Sequence, residues 1–163
     1  ISGQKPSVDL KTHLELYNNF KEVGAVVHTH SVYATSFAQA NKSIPCLGTT
    51  HADYFFGEVP CVPHPTSEEM EVDYERFTGI RIVDYFEDFQ IDPSHIPAVL
   101  VQGHGVFCWG KTAKEALETS IILEKVAEMA LLTLSLNEGS SLSPTVLNKH
   151  FTRKHGASKY YGQ

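Results

Sequence analysis

The chain has 163 residues, 42% of them hydrophobic, which suits one domain with one sizeable core. Nineteen acidic residues against 13 Lys and Arg give a formal net charge of −6, and no basic stripe with interleaved aromatics offers a nucleic-acid surface. No apolar run approaches the roughly 18 residues of a membrane span and there is no signal peptide; the three cysteines, Cys46, Cys61 and Cys108, are widely spaced without CxxC and read as buried thiols of a reducing, cytoplasmic setting.

In chain order, "THLE" at 12–15 has capping-box spacing and predicts a short helix to about Phe20. "GAVVHTHS" is apolar and β-branched, hence a buried strand. "VYATSFAQAN" reads as a helix closed by Asn41. "TTHADYFFGEVPCVPHPTSEE" is rich in Pro and turn formers, and its second half reads as a surface loop around a short extended "VPCVP". "SEEMEVDYERF" and "GIRIVDYFED" look helical. "IPAVLVQGHGVFCWG" reads as two strands joined at Gly103 and Gly105. "TAKE" at 112–115 is a second capping box, opening a long helix to about Leu136 whose Ala116, Leu123, Ala127, Ala130 and Leu134 follow helical spacing. Alternating strands and helices imply a layered α/β domain over 1–163. The chain opens on Ile1 rather than Met, so an upstream segment is expected.

The histidines carry the chemistry. Side chains at i and i+2 of a strand share a face, so His28 and His30 project together. Alone, such a pair is either hydrogen-bonded at a strand end or metal-binding. A third, His104 in "QGHGVF", lies between glycines that allow close approach. Three such imidazoles leave room for one acid to complete a zinc-like set, and Asp9 is the nearest candidate, although an acid at a helix start also serves the helix dipole. His13 and His64 read as surface residues and His95 as a loop residue. Asp53, beside aromatics in "TTHADYFFG", is either a partly buried general base with a raised pKa or a turn residue. The tail clusters Lys149, His150, Arg153, Lys154 and His155, as a solvated helix face or as an anion site. Two tyrosines next to the end suggest that the tail docks.

Together, "VVHTHS", "GTTHADYF", "VLVQGHGVFCWGK" and "KHFTRKHGASKYYGQ" closely resemble the class II aldolase family, over essentially the whole chain apart from a small length difference before the last helix. "THADYF" and "YYGQ" are similar to its pentulose-phosphate epimerase branch. The resemblance implies a three-layer α/β/α sandwich around a largely antiparallel sheet, in a homotetramer with active sites between subunits. It implies that Asp9, His28, His30 and His104 bind Zn2+, replaceable by Mn2+ or Co2+. The related aldolases carry Glu at the position of Asp9. Asp53 and Tyr161 match the two proton carriers. Ser7, Val8 and His150 match substrate contacts, but Val8 stands where the family has a second serine. The implied reaction interconverts L-ribulose 5-phosphate and D-xylulose 5-phosphate. A sugar-phosphate aldolase is the alternative, since it differs only in releasing the cleaved aldehyde. A non-catalytic module like the head domain of adducin is opposed by the intact histidine set.

Overall fold

The computed structural model describes residue 3 and residues 5–156. It contains α1 (Leu10–Asn19), β1 (Ala25–Thr29), α2 (Val32–Gln39), the single turn α3 (Thr49–Ala52), β2 (Cys61–Val62), α4 (Ser67–Asp88), β3 (Ala98–Val101), β4 (Gly105–Gly110), α5 (Ala113–Leu136) and α6 (Pro144–His155). The strands lie in the order β1-β4-β3-β2; β1/β4 and β4/β3 are antiparallel and β3/β2 parallel.

Alternation along β4 explains the layers. Phe107 and Trp109 face one side of the sheet and Cys108 the other. Trp109 meets Phe20 at the end of α1 and Phe86 of α4, with ring centroids 5.1 and 5.5 Å apart. Helices α1 and α4 therefore cover that face. Cys108 instead lies within hydrogen-bond reach of Ser120 in α5, and α5 packs with α2 on the opposite face. β3 is buried at every position between the two layers, which makes the domain the expected α/β/α sandwich.

Helix starts show where local signals win and where packing overrides them. Thr66 and Glu69 form a reciprocal capping box on α4, and the Thr112 hydroxyl accepts from Glu115 N–H at the start of α5. α1 behaves differently: it begins at Leu10 rather than at Thr12. Thr12 is buried, and its hydroxyl donates to the Glu75 carbonyl of α4, so a tertiary partner takes the group that the spacing assigned to a cap. The two helical segments 67–77 and 79–88 are one element, kinked at Asp73 (φ −167°, ψ 83°), whose carboxylate accepts from Lys11 of α1 at 2.7 Å. α2 ends at Gln39, and Asn41 follows in the left-handed region at φ 53°, the conformation Asn tolerates. None of the described helices is long and apolar enough to cross a membrane.

Candidate functional site

The end of β1 and the turn between β3 and β4 bring three imidazoles together. One ligand nitrogen from each of His28, His30 and His104 falls within 4.8 Å of the other two. His28 lies in β1 opposite Phe107 of β4 and stacks on its ring at 4.2 Å. Its Nδ1–H donates to the Val106 carbonyl at 2.9 Å, which leaves the Nε2 lone pair pointing outward. His30 Nε2 sits 3.1 Å from His28 Nε2. Two nitrogens each ~2.0 Å from a tetrahedral ion would stand about 3.3 Å apart, so the pair fits a shared cation. His104 occupies the β3–β4 turn, reached through Gly103 at φ +67°. Gly105 is required by contact, because a Cβ there would fall 2.8 Å from the His30 ring and 2.8 Å from the Thr29 carbonyl. Burial holds the His28 and His104 imidazoles below their usual range, and neighbouring histidines lower His104 further. The rings are thus kept neutral, the form that donates to a cation.

The other expected members of this site stand at its edge. Asp9 is the N-cap residue of α1 and lies outside the 4.8 Å group, yet close enough to raise the His28, His104 and His13 imidazoles electrostatically. Ser7 and Val8 are exposed just ahead of it, and the Ser7 hydroxyl donates to Asp9 Oδ2 at 3.4 Å. His13 is not the surface residue its position suggested. It is half-buried, packed edge-on against Phe107 at 5.9 Å, and burial lowers its imidazole, as does His28. The signal that would have found it is its place one turn after Asp9. Beside His104, the Tyr74 hydroxyl lies 3.4 Å from Nδ1, carried there by the segment that follows the α4 kink.

Asp53 belongs to a different cluster. It follows α3, and α6 folds onto it. The Arg153 guanidinium donates to both its oxygens at 3.0 Å, His150 Nδ1 lies 3.0 Å from Oδ1, and Lys154 Nζ lies 3.5 Å from Oδ2. The expectation of a raised pKa is overturned. Burial pushes the carboxyl up, but Arg153, His150 and Lys154 outweigh it and hold it below the usual carboxylate range. The anion for the basic tail is therefore the protein's own Asp53. Lys149 and His155 are exposed, but the rest of that helix face is partly covered. Phe151 is buried, stacked on His155 at 4.4 Å and packed on Phe56 at 4.9 Å, while Lys154 lies 4.5 Å over the Tyr54 ring. Among the described residues, no hydrogen bond links Asp53, His150 or Arg153 to the three histidines. Tyr161 lies outside the described residues.

A family model described as Class II Aldolase and Adducin N-terminal domain matches residues 1–131. The chain belongs to that family. It is 45% identical over 162 residues to a curated L-ribulose-5-phosphate 4-epimerase UlaF of Salmonella paratyphi C (strain RKS4594), covering 99% of this chain and 70% of the relative. A solved L-fuculose 1-phosphate aldolase matches with a TM-score of 0.75 at 20% identity, over 92% of this chain and 65% of that one, a likeness of fold alone. A sugar-phosphate aldolase from Thermotoga maritima matches with a TM-score of 0.60 at 26% identity, over 83% of this chain and 57% of that one. Class II aldolases generally depend on a divalent metal, and in this member the histidine group offers one a place.

Proposed function

We propose that this chain is a 4-epimerase of pentulose 5-phosphates, interconverting L-ribulose 5-phosphate and D-xylulose 5-phosphate with zinc as its ion. The observation that carries the reading is 45% identity to a curated 4-epimerase over 162 residues, together with the three grouped histidines of this chain. The hydrogen on C4 of such a substrate is β to the carbonyl and not acidic, so proton removal cannot invert that centre. Retro-aldol cleavage can. The C4 hydroxyl gives up its proton, the C3–C4 bond breaks, and its electron pair enters the enediolate of dihydroxyacetone while C4 becomes the carbonyl of glycolaldehyde phosphate. The aldehyde turns, C3 attacks its other face, and the C4 oxygen is reprotonated. A bound divalent ion supplies Lewis acidity for the enediolate oxygens.

In this reading His28, His30 and His104 hold the ion with Asp9, and Asp53 and Tyr161 carry protons on opposite faces. Arg153, His150 and Lys154 keep Asp53 ionised near neutral pH, ready to accept a proton and quick to return it. Ser7, the Val8 backbone N–H and His150 contact the phosphorylated substrate. Asp53 and the histidines form separate clusters in one chain. The reading joins them across subunits of a homotetramer, with Tyr161 acting in a neighbouring site.

The deciding experiment follows the carbon. The metal-loaded protein is incubated with L-ribulose 5-phosphate and both possible products are quantified. Formation of D-xylulose 5-phosphate without accumulated glycolaldehyde phosphate is expected. Stoichiometric release of that aldehyde with dihydroxyacetone would make the chain an aldolase instead.

A further inference from the structure

We propose that Glu124 of α5 is a positioning residue for His30. His30 lies one residue beyond β1 and two before α2, so the sheet ladder does not fix its backbone. What fixes it is the start of α2. Ser31 has the extended N-cap conformation (φ −66°, ψ 145°), yet its hydroxyl makes no cap hydrogen bond and is buried without a partner among the described residues. The N–H groups that a cap residue ordinarily serves are those of Tyr33 and Ala34. Both donate instead to Glu124, at 2.9 Å to Oε1 and 2.9 Å to Oε2. A carboxylate from another helix has replaced the local cap. It accepts from two backbone donors and meets the positive end of the α2 dipole.

The consequence reaches the histidines. Anchored by Glu124 on one side and pressed against Gly105 on the other, the 29–32 segment holds the His30 ring beside His28. Without the anchor, α2 can fray from its first turn and His30 loses its fixed separation from the other two rings. Outer groups of this kind tune metal affinity through the ligand they orient.

The inference rests on the metal-binding reading above, and Co2+ titration of the chelator-stripped full chain tests each separately. The parent protein should bind Co2+ and develop its visible d–d band. Glu124→Ala should weaken binding by ~10–100-fold, alter the band, and speed hydrogen exchange at the Tyr33 and Ala34 amides. Glu124→Gln, which keeps one carbonyl acceptor, should fall between, and it carries the test if the alanine variant does not fold. Ala130→Gly loosens α5 but leaves the Glu124 carboxylate in place, and should leave affinity and band unchanged. Unaltered Co2+ affinity and band in a folded Glu124 variant would overturn the positioning role alone, as would an equal loss in Ala130→Gly. A parent protein that binds no Co2+ would overturn the metal reading along with it.

Discussion

The histidine group and the Asp53 cluster are built in opposite ways. The first is assembled from a strand end and a turn, which bring one ring nitrogen of each histidine within 4.8 Å of the other two. The second is assembled by α6 docking on residues about a hundred positions earlier, and its one carboxylate is already engaged by Arg153, Lys154 and His150. The first cluster groups three nitrogen donors with no cationic side chain hydrogen-bonded to them among the described residues, whereas the second pairs its carboxylate with Arg153 and Lys154. The proposed function divides one reaction between them, with charge stabilisation in the first and proton movement in the second.

The sharpest way to break the comparison is to remove a ligand from the open cluster. His28→Asn should abolish turnover and nearly all bound metal, because it deletes one of the three grouped nitrogen donors. Full metal occupancy by elemental analysis of that variant would dismantle the assignment. Asp53→Asn addresses the closed cluster. Turnover should fall by ~100-fold or more while metal content stays at the parent level, the pattern of a lost proton carrier. Near-normal turnover in a metal-replete sample would leave Asp53 as an anchor for α6 only. If Asp53 and Tyr161 reach a common site from different chains, mixing Asp53→Asn with Tyr161→Phe chains should restore part of the activity. No recovery in verified mixed tetramers would put both residues in one chain's site.

The same contrast explains what was legible in the sequence. His28, His30 and His104 were readable because strand alternation and a glycine-flanked turn dictate side-chain direction locally. The Thr112 cap on the Glu115 N–H lies within four residues and is likewise local, although the Glu115 carboxylate accepts from the Lys111 N–H rather than closing a reciprocal box. The low pKa of Asp53 was not readable, since it depends on Arg153 and His150 arriving from the last helix. His13 escaped because its packing on the Phe107 ring, distant in sequence, could not be read locally. Thr12 misled for the same reason: its hydroxyl was claimed by α4. Local rules located the metal-ligand candidates; long-range contacts set their surroundings.

In the single turn that precedes Asp53, buried His51 adds a pH signature of its own. It is buried in α3, and its Nε2–H donates to the Gly57 carbonyl at 2.7 Å, while Nδ1 is buried without a partner among the described residues. Burial is the main cause of a pKa pushed down to about 4. The unfolded chain titrates this ring near 6.5, so between these values the unfolded state binds more protons. Stability should therefore fall as pH drops through that window, by about 2 kcal/mol at pH 5 relative to pH 8. His51→Gln, whose amide can reach the same carbonyl, should flatten the slope in denaturant titrations at the two pH values. An equal slope in the variant would assign the acid sensitivity elsewhere.

The smallest expected effect sharpens the open cluster from its rim. Tyr74 lies 3.4 Å from His104 Nδ1, a long contact and the only oxygen hydrogen-bonded to that ring's side chain among the described residues. If Nε2 of His104 turns toward the ion, Nδ1 carries the proton and donates it to the tyrosine oxygen, which fixes the tautomer that leaves Nε2 free. Burial raises the Tyr74 phenol above its ordinary value, so it stays neutral and is an acceptor rather than a counter-ion at neutral pH. Tyr74→Phe removes the acceptor but keeps the ring packed 6.0 Å from the imidazole. At this separation the loss in metal affinity should sit at or below the tenfold low end for such outer contacts, equivalent to about 1.4 kcal/mol or less. A competition titration against a chelator of known affinity resolves a change of that size. A hundredfold loss would mean that Tyr74 is a structural member of the site in its own right. No change at all would show that the glycine-flanked turn alone orients His104.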